Sequence, residues 1–310
     1  MTQYLSVLVP IPITAAMLIS TNAPASPYPA WANNTTFAKG AFCYSATTQR
    51  VYQSLADGNL NHDPTDPNNQ FGAVVYWQDV NPTNPMAMFD GDVSTQTAVA
   101  TPLTVTLQPG PFSDGYMAGL DADQAHVVVK DAQGGNVIFD TTYQLEGSAP
   151  AEWDEWCFDP FKPLSDLLFG GIEPYASAEV TVTISKGSGT VKCGLLALGA
   201  MKALGQTQRG AKAKPKTYSY IKTDDFGNTK IVRRKATTDV SMSAILSREE
   251  SDDALATVQS VLDVPAVWIG ANLPGYAGLR VFGLGSGELS YDSPGYDTLS
   301  INVQGVIRTT

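Results

Sequence analysis

Two histidines and three cysteines are all that this 310-residue chain offers to transition-metal or thiol chemistry, and they are scattered. Cys43, Cys157 and Cys193 form no Cys-x-x-Cys pair, and His62 and His126 stand alone, so neither a zinc site nor a disulfide framework is indicated. Each cysteine reads as a small buried apolar residue; Cys157 and Cys193 can be bridged only if the fold brings them together. Charge is sparse too. Asp, Glu, Lys and Arg make up 16% of the residues, and the formal net charge is −11. Such a chain repels a phosphate backbone, so nucleic acid is not an expected partner. The one basic stretch, residues 209–216 followed by Arg233, Arg234 and Lys235, reads as a solvated linker able to touch an acidic surface.

No Lys or Arg precedes Lys39. The apolar run at residues 4–20 therefore lacks the basic start of a signal peptide, and Pro10 and Pro12 break the helix that a leader or a membrane span needs. Ala23-Pro24-Ala25 does have the form of a cleavage site, which keeps a secreted chain open as the alternative. Catalytic constellations are missing as well. A hydrolase needs a nucleophile with its base, or paired carboxylates in a cleft, and no convincing set is present. Gly283-x-Gly285-x-Gly287 and Gly187-x-Gly189 do not open a helix in a βαβ unit and read as turns. Asp90, Asp92, Asp121 and Asp123 lie on presumed loops without the spacing of an EF-hand. The expectation is a protein that is not an enzyme and uses no cofactor or metal.

What the chain has is apolar material, 43% of residues, together with many turn-forming ones. Its length calls for more than one core. The predicted class is mainly β and multi-domain. Residues 1–26 are expected as an extended apolar arm packed on another subunit. Residues 27–85 form a small aromatic-rich β module, with a turn-rich loop at residues 57–69. Residues 86–200 form an antiparallel β-sandwich or jelly roll, because residues 103–107, 126–130, 136–139, 179–184 and 191–198 alternate apolar and polar. Residues 201–216 are the basic linker. Residues 217–310 form an α+β assembly domain with one helix, at residues 251–262, packed on an antiparallel sheet. Ser247 or Ser251 caps that helix, and Glu249, Glu250, Asp252 and Asp253 suit its positive end.

Three stretches carry resemblances. Trp31, Phe37-x-Lys39-Gly40-x-Phe42-x-Tyr44, Val51-Tyr52, Gly58, Pro64 and Trp77 occur in an order that resembles the small chitin- and cellulose-binding modules. The chain departs from that pattern at Ala41, where an acid is usual, and at Gln53-Ser54-Leu55, where an exposed aromatic pair is usual. The run Phe89-Asp90-Gly91-Asp92-x-Ser94-Thr95 resembles the opening of discoidin-like sugar-binding sandwiches. Farther on, Asp225-Phe226-Gly227-Asn228, the basic Arg233-Arg234-Lys235, the helix, Pro265-Ala266-Val267-Trp268-Ile269-Gly270 and Ser300-Ile301-x-Val303-x-Gly305 resemble minor tail or baseplate proteins of long-tailed bacteriophages.

The tail resemblance implies a virion structural protein of the tail tip or baseplate. Such a protein assembles as a symmetric homo-oligomer with other tail proteins as partners and without a membrane span. The module resemblance implies contact with cell-surface glycans, which in a secreted protein would be the main function. The candidate sugar-binding residues are Trp31, Tyr52 and Trp77 in the module. Trp153 and Trp156 join them from the run Trp153-Asp154-Glu155-Trp156, which otherwise reads as an aromatic plug on the sandwich edge.

Overall fold

The computed structural model describes residues 3–145, 163–223, 227–234, 236–273, 275–291 and 295–306. Its strands begin with β1 (Tyr4–Pro10), β2 (Leu18–Thr21), β3 (Phe42–Ser45), β4 (Arg50–Ser54), β5 (Trp77–Pro82), β6 (Thr97–Ala100) and β7 (Leu103–Leu107). They continue as β8 (Asp114–Ala118), β9 (Gln124–Lys130), β10 (Val137–Gln144), β11 (Asp166–Gly170), β12 (Glu179–Ser185), β13 (Thr190–Cys193) and β14 (Leu195–Thr207). The last are β15 (Lys212–Thr217), β16 (Tyr220–Thr223), β17 (Thr229–Val232), β18 (Ala236–Ser247), β19 (Ala266–Ile269), β20 (Arg280–Ser290) and β21 (Tyr296–Gly305). Helix α1 (Pro67–Phe71) is a single turn, and helix α2 (Arg248–Ser260) follows β18 directly. The fold is mainly β, as the composition requires.

The sandwich is built from alternation. In β7, β9 and β12 every second residue points inward, giving Leu103, Val105, Leu107, Ala125, Val127, Val129, Val180, Val182 and Ile184 to one core. These strands belong to a five-stranded sheet ordered β10-β9-β12-β7-β2. The outward positions are polar apart from Val128, and Thr106 and Thr181 face each other across the ladder with hydroxyls 3.1 Å apart. Phe112, Met117, Phe169, Leu196 and Leu198 close the same core from β8, β11, β14 and the loop before β8.

Beyond the sandwich the second sheet rolls up. Its order is β11-β8-β14-β1-β19-β20-β21-β18-β15, and β14 pairs again with β18 at Gln206↔Ile245 and Thr207↔Ala244. The strands β14-β1-β19-β20-β21-β18 therefore form a closed antiparallel barrel with no free edge. Leu5, Val7, Leu204, Met242, Trp268, Val281, Leu299 and Ile301 fill it, and Ala254, Val258 and Val261 of the α2 region join them. Helix α2 starts three residues earlier than its apolar stripe indicates. Ser247 is its N-cap, and the Glu250 carboxylate accepts hydrogen bonds from the Ser247 backbone N–H at 3.2 Å and hydroxyl at 2.9 Å.

Two expectations are corrected here. Residues 4–10 are not an arm laid on another subunit. They form β1, hydrogen-bonded to β14 on one side and β19 on the other. Val7 faces the barrel core while Leu8 faces a second apolar cluster with Tyr116, Ala197, Val267 and Phe282. A strand buried on both faces reads as an unbroken apolar run, which is why alternation is missing. Residues 201–216 are not a linker either. Residues 201–207 complete β14, a single strand of 13 residues shared by sandwich and barrel, and Lys212–Thr217 pairs with β18. The barrel thus draws strands from both ends of the chain and overruns the expected boundaries at 26, 200 and 217. An ion pair adds to this junction: Arg280 of β20 meets Asp166 of β11 at 2.8 Å, with both side chains largely buried.

The small module is the three-stranded sheet β3-β4-β5 with α1. Its core is Phe37, Cys43, Tyr52 and Trp77, with Trp31 packed against it.

Candidate functional site

Of the residues singled out for sugar stacking, Tyr52 and Trp77 are core. Trp77 is 1% exposed, donates its indole N–H to the His62 carbonyl at 2.8 Å and takes Phe37 edge-on at 5.2 Å. Tyr52 is 2% exposed with its hydroxyl 3.1 Å from that of Thr48. Neither ring offers a face to a ligand, so both are withdrawn as platforms. A unit with so little apolar material needs its largest rings inside. Trp31 is half-buried at the edge of that core. Trp153, Trp156 and the acids between them lie outside the described residues, as does Cys157. Cys193 is a free, fully buried thiol beside the Leu195 carbonyl, and burial pushes its pKa up to about 12.

Tyr52→Ala is therefore expected to unfold the module rather than remove sugar binding alone, at a cost of about 3–5 kcal/mol, the range for large aromatic truncations. The measurement is a thermal melt followed by tryptophan fluorescence, with Trp77→Phe as the background that isolates the module's contribution. An unchanged melt would return Tyr52 to the surface.

The module does contribute to a cleft. Its β3–β4 turn, with Thr47, Thr48, Gln49 and Arg50, faces residues 13–16 and Met86, Phe89 and Asp90 across an open space of about 460 Å³. Gln49 sits in the left-handed backbone region, φ 54°, held by its N–H to the Ser45 carbonyl, its amide to the Ala46 carbonyl and the Thr83 hydroxyl on its side-chain oxygen. Non-glycine residues in that region gather at ligand-binding positions. Arg50 is oriented by Asp79 of β5. Asp90 is anchored by the Thr95 hydroxyl and the Asp92 N–H. A guanidinium, a carboxylate, an amide and hydroxyls around an apolar floor match a ligand rich in hydroxyls. Of this group, sequence alone drew attention to Asp90 and Phe89 only. The turn residues carry no motif.

The second feature is a projecting hairpin. Past the end of the β15–β18 ladder, β16 and β17 pair only with each other among the described residues, with Tyr220↔Val232, Ile221↔Ile231 and Lys222↔Lys230 in register. Ser219 bridges the break, donating its hydroxyl to the Arg234 carbonyl and accepting the Arg234 N–H. The Arg234 guanidinium lies 5.1 Å from the Tyr220 ring centre, and the Lys216 ammonium 5.4 Å from that of Tyr218. Ile221 and Ile231 are 67% and 63% exposed. Residues 209–235 hold nine of the chain's 19 Lys and Arg and only two Asp. That segment carries +7 and the remainder −18, which together make the chain's −11.

No protein-family model matches the chain, and no curated protein matches it. Among solved structures it is similar to the F5/8 type C domain of a Bacteroides fragilis protein, at 12% identity and a TM-score of 0.25, over 43% of this chain and 83% of that one. A likeness at that level leaves both features to be argued from the chain's own geometry. Among the described residues no helix is long and apolar enough to cross a membrane.

Proposed function

We propose that this chain is a non-catalytic structural subunit of a phage tail tip or baseplate, assembling with copies of itself in a closed symmetric oligomer. The observation that carries this reading is the β16–β17 hairpin. A two-stranded ribbon is marginal in water on its own, and this one sets two isoleucines opposite each other in solvent. It gains stability when another surface covers it. The closed barrel behind it supplies a rigid mount. Such a division suits a building block.

Surface glycan is the second ligand of the reading, taken in the cleft between the β3–β4 turn and Asp90 rather than on the rings of Tyr52 and Trp77. Many weak sites on one particle reinforce each other through effective concentration.

Light scattering of the purified protein, with negative-stain images, tests the assembly. The expected result is a closed particle at a small-integer multiple of 33.0 kDa. A monomer at every concentration would sink it. A glycan array read with wild type and Thr47→Trp tests the cleft, since an indole at that exposed turn position fills it. Binding by wild type that is lost in the variant supports the assignment. A monomer that binds glycan would favour the secreted carbohydrate-binding alternative.

A further inference from the structure

We infer that the β16–β17 hairpin of one copy inserts into the groove between α2 and β14 of a neighbouring copy. The inference rests on the oligomeric reading above and names its contact. The groove is open, about 560 Å³, and lined among others by Tyr4, Lys202, Gly205, Glu250, Asp253 and Thr257. One wall is α2, which lines the groove with the exposed carboxylates of Glu250 and Asp253 beside Ala256, Thr257 and Ser260, while Glu249 and Asp252 lie on the same helix outside it. The other is the β1–β14 side, where Tyr4 is 56% exposed and Ala203 is exposed.

A hairpin entering a groove meets a wall with each face, and this hairpin has two unlike faces. Residues paired directly across an antiparallel ladder share a face, so Ile221 and Ile231 lie together on one side. Tyr220, Val232, Lys222 and Lys230 lie on the other. The isoleucine face matches the wall with Tyr4 and Ala203. The lysine face matches the acidic wall of α2. Within the ribbon, two lysines directly opposite each other repel, and negative charge brought from outside the pair relieves that repulsion. In a chain that is −18 outside this segment, another copy of the same chain is the complementary surface. Lys202 at the groove edge opposes the match and narrows it to the α2 side. Hairpin and groove are different parts of the surface, so the contact is head-to-tail, and repetition closes a ring when the rotation allows.

Charge reversal in both directions tests this. Lys222→Glu/Lys230→Glu and, separately, Glu250→Lys/Asp253→Lys are each expected to run as monomers in light scattering at concentrations where wild type is assembled. A loss of at least about a hundredfold in association constant is expected, about tenfold for each reversed charge. Mixing the two variants in equal amounts restores association, and the full assembled mass where the ring has an even number of subunits, because each supplies the sign that the other now needs. Thermal melts establish that both fold. Glu250 also bonds Ser247 at the helix start, so Asp253→Lys alone serves as the second groove variant. If wild type assembles and the reversed hairpin assembles equally well, the contact is overturned while the oligomer stands. If wild type is monomeric throughout, the oligomeric reading itself falls. If the reversed hairpin keeps its mass but loses a binding to heparin or duplex DNA that wild type has, the hairpin serves a polyanion instead, and the inference is wrong.

Discussion

A chain starting at Ile11 is expected to be recovered only as aggregate, with no cooperative thermal transition. The truncation removes β1, which is hydrogen-bonded on both sides, through Ser6, Val7 and Leu8 to β14 and to β19. Leu5, Val7 and Leu8 are each 0% exposed. Their burial alone contributes about 1.5–3 kcal/mol apiece, before the lost ladders are counted, against a total stability of about 5–15 kcal/mol for a folded domain. The barrel would also open, turning β14 and β19 into bare edges that invite pairing between molecules. Circular dichroism and size exclusion read the outcome, and a synthetic peptide of residues 1–10 added during refolding should recover folded protein. A truncated chain that is soluble and melts cooperatively would show that β1 is dispensable to the barrel.

Trp268→Ala is expected to lower the stability of the barrel by about 3–5 kcal/mol, the cost of emptying a large aromatic site that cannot collapse. Trp268 is 0% exposed, and its indole N–H donates to the Gly283 carbonyl at 3.2 Å. The ring is seated against β20 at a glycine: a Cβ added at Gly285 would lie 2.1 Å from the Trp268 ring, so Gly285→Ala overfills the same site at about 1–3 kcal/mol. The two positions share one volume and are therefore not additive. In chemical denaturation, Gly285→Ala should cost markedly less in a Trp268→Ala background than in wild type. Equal costs in both backgrounds would mean that ring and glycine do not meet.

How far these features were legible depends on which face of each strand is wet. β7, β9 and β12 alternate cleanly because one side is core and the other carries threonines, and their positions follow from the pattern. β1 has no wet face, so its apolar run resembled a free arm. β15 errs the other way: Lys212, Lys214 and Lys216 look like a solvated linker, yet the segment is a strand whose partner is reached only through tertiary structure. Tyr52 and Trp77 were read as sugar platforms for a related reason. Composition marks Tyr52 and Trp77 as large rings and does not say whether a module of this size spends them on its core or on its surface. Gln49, Arg50 and Thr47 announce nothing singly, and the cleft exists only because a turn from the module comes to rest beside Asp90. The helix was visible because its acids and apolar stripe agree, and of the two caps that the sequence offers, Ser247 and Ser251, the structure uses Ser247.

The single strand β14 also determines how the molecule carries force. A tug applied to the sandwich travels into the barrel along an already extended backbone, with no slack loop to pay out and no hinge to rotate. The ladders flanking that strand, with β8 at one end and β1 and β18 farther along, lie parallel to the pull and are loaded in shear, so many bonds must give together instead of unzipping one after another. Tension arriving at one unit is felt at once by the other, and the pair behaves under load as one stiff lever.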